Sequence, residues 1–184
     1  GKTTYPKGEI KMAKLKDIDN KAAEKGSLLT TIWQFVKFIV VSLLAMIVQF
    51  VLLNTLQLIP AIKELYTTDF SWWVFAYPVA IGGLGYFIVS NVANIVAQIV
   101  AFFVNKEKTF NSGANVAVTL PIYIIFTIAL IVFSAWLNPT LKELFVGYGL
   151  AETAAKNIAT MICSAVQFFL YFPVDKILFH KPKK

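Results

Sequence analysis

Four uninterrupted apolar runs dominate the sequence, at approximately residues 32–59, 84–104, 114–137 and 158–178. Each is long enough, at about 1.5 Å per helical residue, to cross about 30 Å of hydrocarbon. Bulky side chains fall on every face of these runs, which excludes amphipathic surface helices. A transmembrane barrel would need alternating strands of about ten residues, and the sequence has no such pattern. The chain is therefore expected to be an all-α integral membrane protein with four transmembrane helices. Composition agrees: 58% of the 184 residues are apolar and 15% charged, against about 45–50% and about 25% in soluble domains. The first run is far longer than the roughly 7–15 apolar residues of a signal peptide and ends in no small-residue cleavage site, so all four spans are expected in the mature protein. A first residue of Gly rather than Met is read as a sign of processing.

Charge placement sets the expected orientation. The net charge of +7 comes from 17 lysines, with no arginine, against 10 acids. Eight lysines lie at or before Lys37, Lys106 and Lys108 separate the second and third runs, and Lys176, Lys181, Lys183 and Lys184 close the sequence. Lys63, Lys142 and Lys156 are left for the other side. The positive-inside rule then places both termini in the cytoplasm, as an even number of spans requires. Such an excess reports topology and anionic headgroups rather than nucleic acid. Trp33 suits the inner interface, and Trp72, Trp73 and Trp136 the outer one. A single cysteine, Cys163, excludes an intrachain disulfide.

Three parts are distinguished: a basic N-terminal segment (1–31), the four-span unit (32–180) and a basic tail (181–184). In the first, Ile10, Met12, Leu15 and Ile18 can line a weak amphipathic helix on the inner leaflet, with Lys11, Lys14, Lys16 and Lys21 reaching phosphates; a disordered tail is the alternative. Residues 69–85 are apolar and aromatic but broken by Pro78, Gly82, Gly83 and Gly85. They read as an interfacial segment bending into the second span, or else as the start of one long kinked helix.

The second and fourth runs align at an offset of 66: Asn91 with Asn157, Ala93 with Ala159, Val100 with Val166, Phe102 with Phe168 and Phe103 with Phe169. With a looser echo between residues 53–56 and 137–141, this suggests two helical hairpins as a parallel repeat about an axis along the membrane normal, unless two Phe- and Val-rich helices match by chance. Asn91, Asn94, Gln98 and Asn105 fall within about 60° of one another at about 100° per residue. Asn157, Thr160, Ser164 and Tyr171 fall in the matching sector of the fourth run. The third run adds Thr119, Tyr123, Thr127 and Ser134, and the first Ser42 and Gln49. Such groups must find partners in hydrocarbon, so they are expected to face the bundle or a polar cleft, or to bond helix to helix. Ala93, Ala97 and Ala101 form a small-residue stripe suited to close packing.

Ionisable residues near the membrane cluster on the expected inner side: Lys37, Lys106, Lys108 beside Glu107, and Asp175 with Lys176. The lysines can hold phosphate as point charges or simply snorkel. No Asp or Glu occupies the middle of a run, which argues against a buried carboxylate relay for protons. Asp17 and Asp19 match an Asp-x-Asp metal pattern, but too few residues surround them for a nucleotide-binding domain. His180 is read as solvated and Cys163 as packing. Without a nucleophilic triad, a phosphate loop or a metal cluster, no enzymatic activity and no cofactor are expected.

Over roughly residues 33–180 the chain resembles the GtrA-like family of small four-span membrane proteins. Phe35-Val36-Lys37-Phe38-Ile39-Val40-Val41-Ser42 is similar to the opening of that family's first span, with Ser42 in place of a glycine. Phe102-Phe103-Val104-Asn105-Lys106-Glu107-Lys108-Thr109-Phe110 resembles the end of its second span, with Lys108 in place of an aromatic residue. Phe168 and Phe169 through Asp175 and Lys176 to Phe179 resemble the end of the fourth, with Asp175 where Asn is common and with shifted spacing. The resemblance implies flipping of a polyprenyl-phosphate-linked sugar across the bacterial cytoplasmic membrane for envelope polysaccharide or teichoic acid glycosylation. Lys37, Lys106 and Lys176 would then hold the phosphate, and Asn91, Asn94, Gln98, Asn105, Ser164, Gln167 and Asp175 the sugar. A homodimer and glycosyltransferases of the same pathway are the implied partners. The rival readings are a non-transporting anchor for a polyprenyl glycosyltransferase and a small multidrug-type exporter, which would want a membrane-embedded Glu.

Overall fold

The computed structural model describes residues 7–184, with side chains placed for all of these except 7–10 and 153. Residues 1–6 and the side chain of Ile10, part of the expected basic segment, lie outside the described set. Four helices are long and apolar enough to cross a membrane: Ser27–Leu56, Gly83–Thr109, Val116–Gly147 and Ala154–Leu178. In chain order the elements are α1 (Lys7–Glu24), α2 (Ser27–Leu56), α3 (Pro60–Leu65), β1 (Phe70–Trp72), β2 (Phe75–Tyr77), α4 (Gly83–Val104), α5 (Val116–Gly147) and α6 (Glu152–Leu178). α2 packs along α4 and α5 along α6, with further contacts from α4 to α5 and from α6 to α2.

Small residues set the α2–α4 contact. On α4, Gly85, Val89, Ala93, Ala97 and Ala101 are buried at every fourth position, and Ala97 and Ala101 pack on Val41 and Ala45 of α2. Short side chains along one ridge let two backbones approach closely, which is how helices associate where lipid is as apolar as they are. On α6 the buried positions Ala155, Ala159 and Cys163 stand 66 residues after Val89, Ala93 and Ala97, the offset at which the two sequences align. A second core, aromatic in character, joins Phe38, Phe102, Tyr123, Leu130, Tyr171 and Phe179. Val40, Leu43, Met46, Ile47 and Phe50 of α2 are exposed, an apolar surface suited to acyl chains.

The aromatic segment after α2 opens as a strand pair, passes through a 3-10 turn at Val79–Ile81 and enters α4 only at Gly83. An all-helical chain was expected, but Phe70, Ser71 and Trp72 pair antiparallel with Tyr77, Ala76 and Phe75. Aromatic residues on both sides of a tight turn favour a hairpin, and Phe70, Phe75 and Tyr77 seat it with ring centroids 4.4, 5.1 and 5.2 Å from Phe87 of α4. The Asp69 carboxylate accepts from Val79 N at 2.7 Å, and Leu84 N donates to Thr68 O at 2.8 Å. Gly83, at φ +54°, closes this joint: a Cβ there would lie 2.2 Å from Thr68 O. Trp72 and Trp73 are left exposed.

Of the two readings of the N-terminal segment the helix is the one seen over its described part, while the end of the third span differs from the sequence reading. α1 is helical, with its exposed lysines including Lys11, Lys14, Lys16 and Lys21. α5 runs ten residues past Leu137, through Pro139 to Gly147, where the sequence suggested a loop. Its last turns are held from outside: Asn138 Nδ2 donates to Thr160 Oγ1 at 3.2 Å and Lys142 Nζ to Glu152 Oε1 at 2.7 Å. This ion pair lowers the Glu152 carboxyl from its ordinary value.

The α2–α4 packing makes a stability prediction. Ala97→Leu overfills that contact and is expected to cost about 1–3 kcal/mol, read as a lower thermal unfolding midpoint in detergent, whereas Val96→Leu on the exposed face leaves the midpoint unchanged.

Candidate functional site

The polar chemistry gathers where α1 ends, α2 and α5 begin, and α4 and α6 finish. α4 does not stop cleanly there. Residues Asn105–Thr109 form one π-helical turn, closed by Phe110 N donating to Asn105 O at 2.9 Å; such wide turns inside helices recur at functional positions. The turn directs Asn105 at α6, where its Nδ2 donates to Asp175 Oδ2 at 3.0 Å, while its Oδ1 accepts from Thr109 Oγ1 at 2.7 Å. Asn105, Thr109 and Asp175 are all buried, Asp175 with 0% of its surface exposed. The second oxygen of Asp175, Oδ1, has no hydrogen-bond partner. Phe102, Tyr123, Tyr171 and Phe179 of the aromatic core belong to the same end. The two span endings singled out in the sequence thus meet through the Asn105–Asp175 bond, and their aromatic residues Phe110 and Phe179 lie 5.8 Å apart.

A strap closes this end. Ser112 Oγ donates to Lys181 O at 2.9 Å and Gly113 N to the same oxygen at 2.8 Å, and Lys183 pairs with Glu107. Gly113 is required by the approach, since a Cβ would lie 2.6 Å from Pro182 O.

The lysines divide by partner. Lys37 Nζ is 2.8 Å from Asp19 Oδ1 of α1 and 5.8 Å from the Trp33 ring. Lys106, itself buried, pairs with Glu107 at 3.0 Å. Lys176 alone of the three has neutral partners: it donates to Thr31 Oγ1 at 2.6 Å and Gln34 Oε1 at 3.0 Å. It also lines an open groove of about 490 Å³ with Pro173, Ile177 and His180, a face of α6 with spacing 3, 4 and 7.

The expected polar stripe is dispersed. Gln98 accepts from Tyr123 Oη at 3.3 Å, Gln167 donates to Ser134 Oγ at 2.5 Å, and Tyr171 Oη donates to Thr127 Oγ1 at 2.9 Å. These bonds join helix to helix. Asn91 donates to Phe87 O of its own helix at 2.7 Å, and Asn94 is half-buried. Ser164, expected to face inward, is exposed, as are Asn157 and Thr160. The reason is geometric: over the first half of α6 the buried face is the Ala155, Ala159, Cys163 row, which turns Asn157, Thr160 and Ser164 out of the chain, while Tyr171 of the same sector is buried.

Of the predicted site residues, Asn105 and Asp175 are therefore joined directly, Lys106, Lys176 and Lys37 stand at the same end on partners of their own, and the others are spread along the bundle. Sequence reasoning missed Asp19, Thr31 and Gln34 as partners. Lys37 lies 18 residues from Asp19 and Lys176 lies 145 from Thr31, so no helical spacing signals either pair. Among the described residues no group of three His, Cys, Asp or Glu side chains is arranged to hold a metal ion. Comparison with family models, curated proteins and solved structures returned no match.

The Asn105–Asp175 bond makes a test of its own. Asn105→Leu strands a buried carboxyl and is expected to cost about 1–3 kcal/mol, whereas removing both partners in Asn105→Leu with Asp175→Leu is nearly neutral. Thermal unfolding of the two variants in detergent checks that order.

Proposed function

We propose that the protein flips a polyprenyl-phosphate-linked sugar across a bacterial cytoplasmic membrane, with both termini and the lysine-rich end on the cytoplasmic side. The observation that carries the reading is the Lys176 groove. Lys176, its ammonium held by Thr31 and Gln34 with no carboxylate partner, belongs to the helix face whose Pro173 and Ile177 line an apolar groove. A phosphate on an isoprenoid tail has the complementary chemistry, an anion for the ammonium and a chain for the apolar wall. The resemblance of residues 102–110 to the GtrA-like span ending supports the same substrate class.

In this reading the headgroup binds at Lys176, with Lys106 in reserve behind Glu107. The sugar then moves along Gln98 with Tyr123, Thr127 with Tyr171, and Ser134 with Gln167, whose interhelical bonds sugar hydroxyls can replace one for one. The tail remains in lipid throughout. α2 with α4 and α5 with α6 act as two hairpins of a parallel repeat, a reading supported by the buried small residues that recur at an offset of 66. The working unit is a homodimer through α6, because Asn157 and Ser164 face out of a single chain, where hydrocarbon gives a polar side chain nothing to bond.

The second reading, an anchor for a glycosyltransferase, is favoured by α1 alone, which presents exposed lysines beside half-exposed Met12 and Ile18.

Flipping of a fluorescent polyprenyl phosphate sugar by the reconstituted protein separates them. Lys176→Ala is expected to slow it about tenfold or more, the worth of a charge-assisted contact, and Lys37→Ala, whose charge is committed to Asp19, to slow it less. An unaltered rate in folded Lys176→Ala removes the groove from the path, and no flipping by the native protein selects the anchor.

A further inference from the structure

We infer that Asp175 is a proton-binding site whose occupancy keeps the ends of α4 and α6 together. Among the described residues Asp175 is the buried carboxyl, and its surroundings leave it half-satisfied. Oδ2 has the Asn105 amide; Oδ1 has nothing. A bare carboxylate in such a place requires a cation or water against it. The nearby lysines are committed elsewhere: Lys37 to Asp19, Lys106 and Lys183 to Glu107, Lys176 to Thr31 and Gln34. The titratable groups that face it are Tyr123 from α5 and Tyr171 from α6, whose hydroxyls are turned to Gln98 and Thr127. α2 contributes Phe38 to that core, and the segment after α6 contributes Phe179.

The missing group is a proton rather than a metal ion. Asn105 presents amide hydrogens to Asp175, and its oxygen is already taken by Thr109, so it offers no second oxygen ligand for a metal ion, and among the described residues no three His, Cys, Asp or Glu side chains are grouped to hold one. A proton on Oδ1 removes the buried charge and leaves the Asn105 bond to Oδ2 in place.

Ionisation reverses this. The proton leaves to water at the lysine-rich end, and the charge left behind has one donor. Water reaches it by parting the π turn from α6, which are joined there by the Asn105–Asp175 bond and by the strap through Ser112 and Lys181. The end is closed when Asp175 is protonated and opens as the proton is lost. The absence of a carboxylate in mid-span therefore does not exclude proton linkage; the carboxyl sits at the end of the span. The site stands on its own geometry and does not require the flipping reading.

The test uses the full chain in detergent. Infrared spectra of the native protein at neutral pH, where exposed carboxyls are ionised, are expected to show one protonated carboxyl C=O band that is lost in Asp175→Asn and shifted in Asp175→Glu. A folded native chain without that band overturns the proposal, as does a band that Asp175→Asn leaves in place. Should neither variant fold, the native spectrum alone decides between band and no band. The opening is read separately in a Cys163→Ser background carrying Ala114→Cys, a buried reporter of the aromatic core beside the strap. Its labelling by a water-soluble thiol reagent, divided by the labelling of the same protein with Asp175→Asn to cancel the thiol's own titration, is expected to rise several-fold with pH. A ratio independent of pH overturns the opening step.

Discussion

Hydrocarbon removes the usual reason for helices to pack, because a leucine side chain is as well solvated by lipid as by another helix. What holds this chain together must then be close contact between backbones and polar bonds that have no competitor in the surroundings. Both devices are present. Ala97 and Ala101, in a row of buried small residues on α4, bring Val41 and Ala45 of α2 against it. Side-chain hydrogen bonds join α4 to α5 through Gln98 and Tyr123 and α5 to α6 through Ser134 and Gln167. At the lysine-rich end the two merge, where aromatic packing surrounds the Asn105–Asp175 bond.

Much of the fold was legible in the residues because membrane spanning is a matter of length and apolarity, both written locally. The four long apolar helices are where the four runs lie. The hairpin of residues 70–77 was legible as a break, since Pro78, Gly82 and Gly83 exclude a straight helix, but its pairing depends on a seat on Phe87 that local pattern cannot supply. The extension of α5 past Pro139 was hidden for a related reason: its outer turns are fastened to α6 by Asn138 and Lys142, contacts between residues 10 and 22 positions apart.

The site was legible to a lesser degree. Asn105 and Asp175 stand out as polar residues closing Phe-rich spans, and the structure joins them. The α6 polar sector faces inward at Tyr171 but not at Asn157, Thr160 or Ser164, because helical periodicity tells which residues share a face and not which face turns inward. Small residues decided that: Ala155, Ala159 and Cys163 took the inward side and left Ser164 outside. The lysines show the same limit. Their clustering was plain from sequence, while the partners that distinguish Lys176 from Lys37 and Lys106 come from α1 and α2, far along the chain.

The strap between residues 112–113 and 181–182 also orders the assembly of the protein in time. Chains enter the membrane from the N-terminus, so α2, the hairpin and α4 are in place well before α6 is made. During that interval Asn105 lacks its carboxyl partner and the aromatic core lacks Tyr171 and Phe179. The first two spans can be zipped by their alanines, but the lysine-rich end stays wet until residues 175–182 arrive to seal it. A nascent half-protein of this kind offers an open, polar-tipped edge until its own α6 covers it.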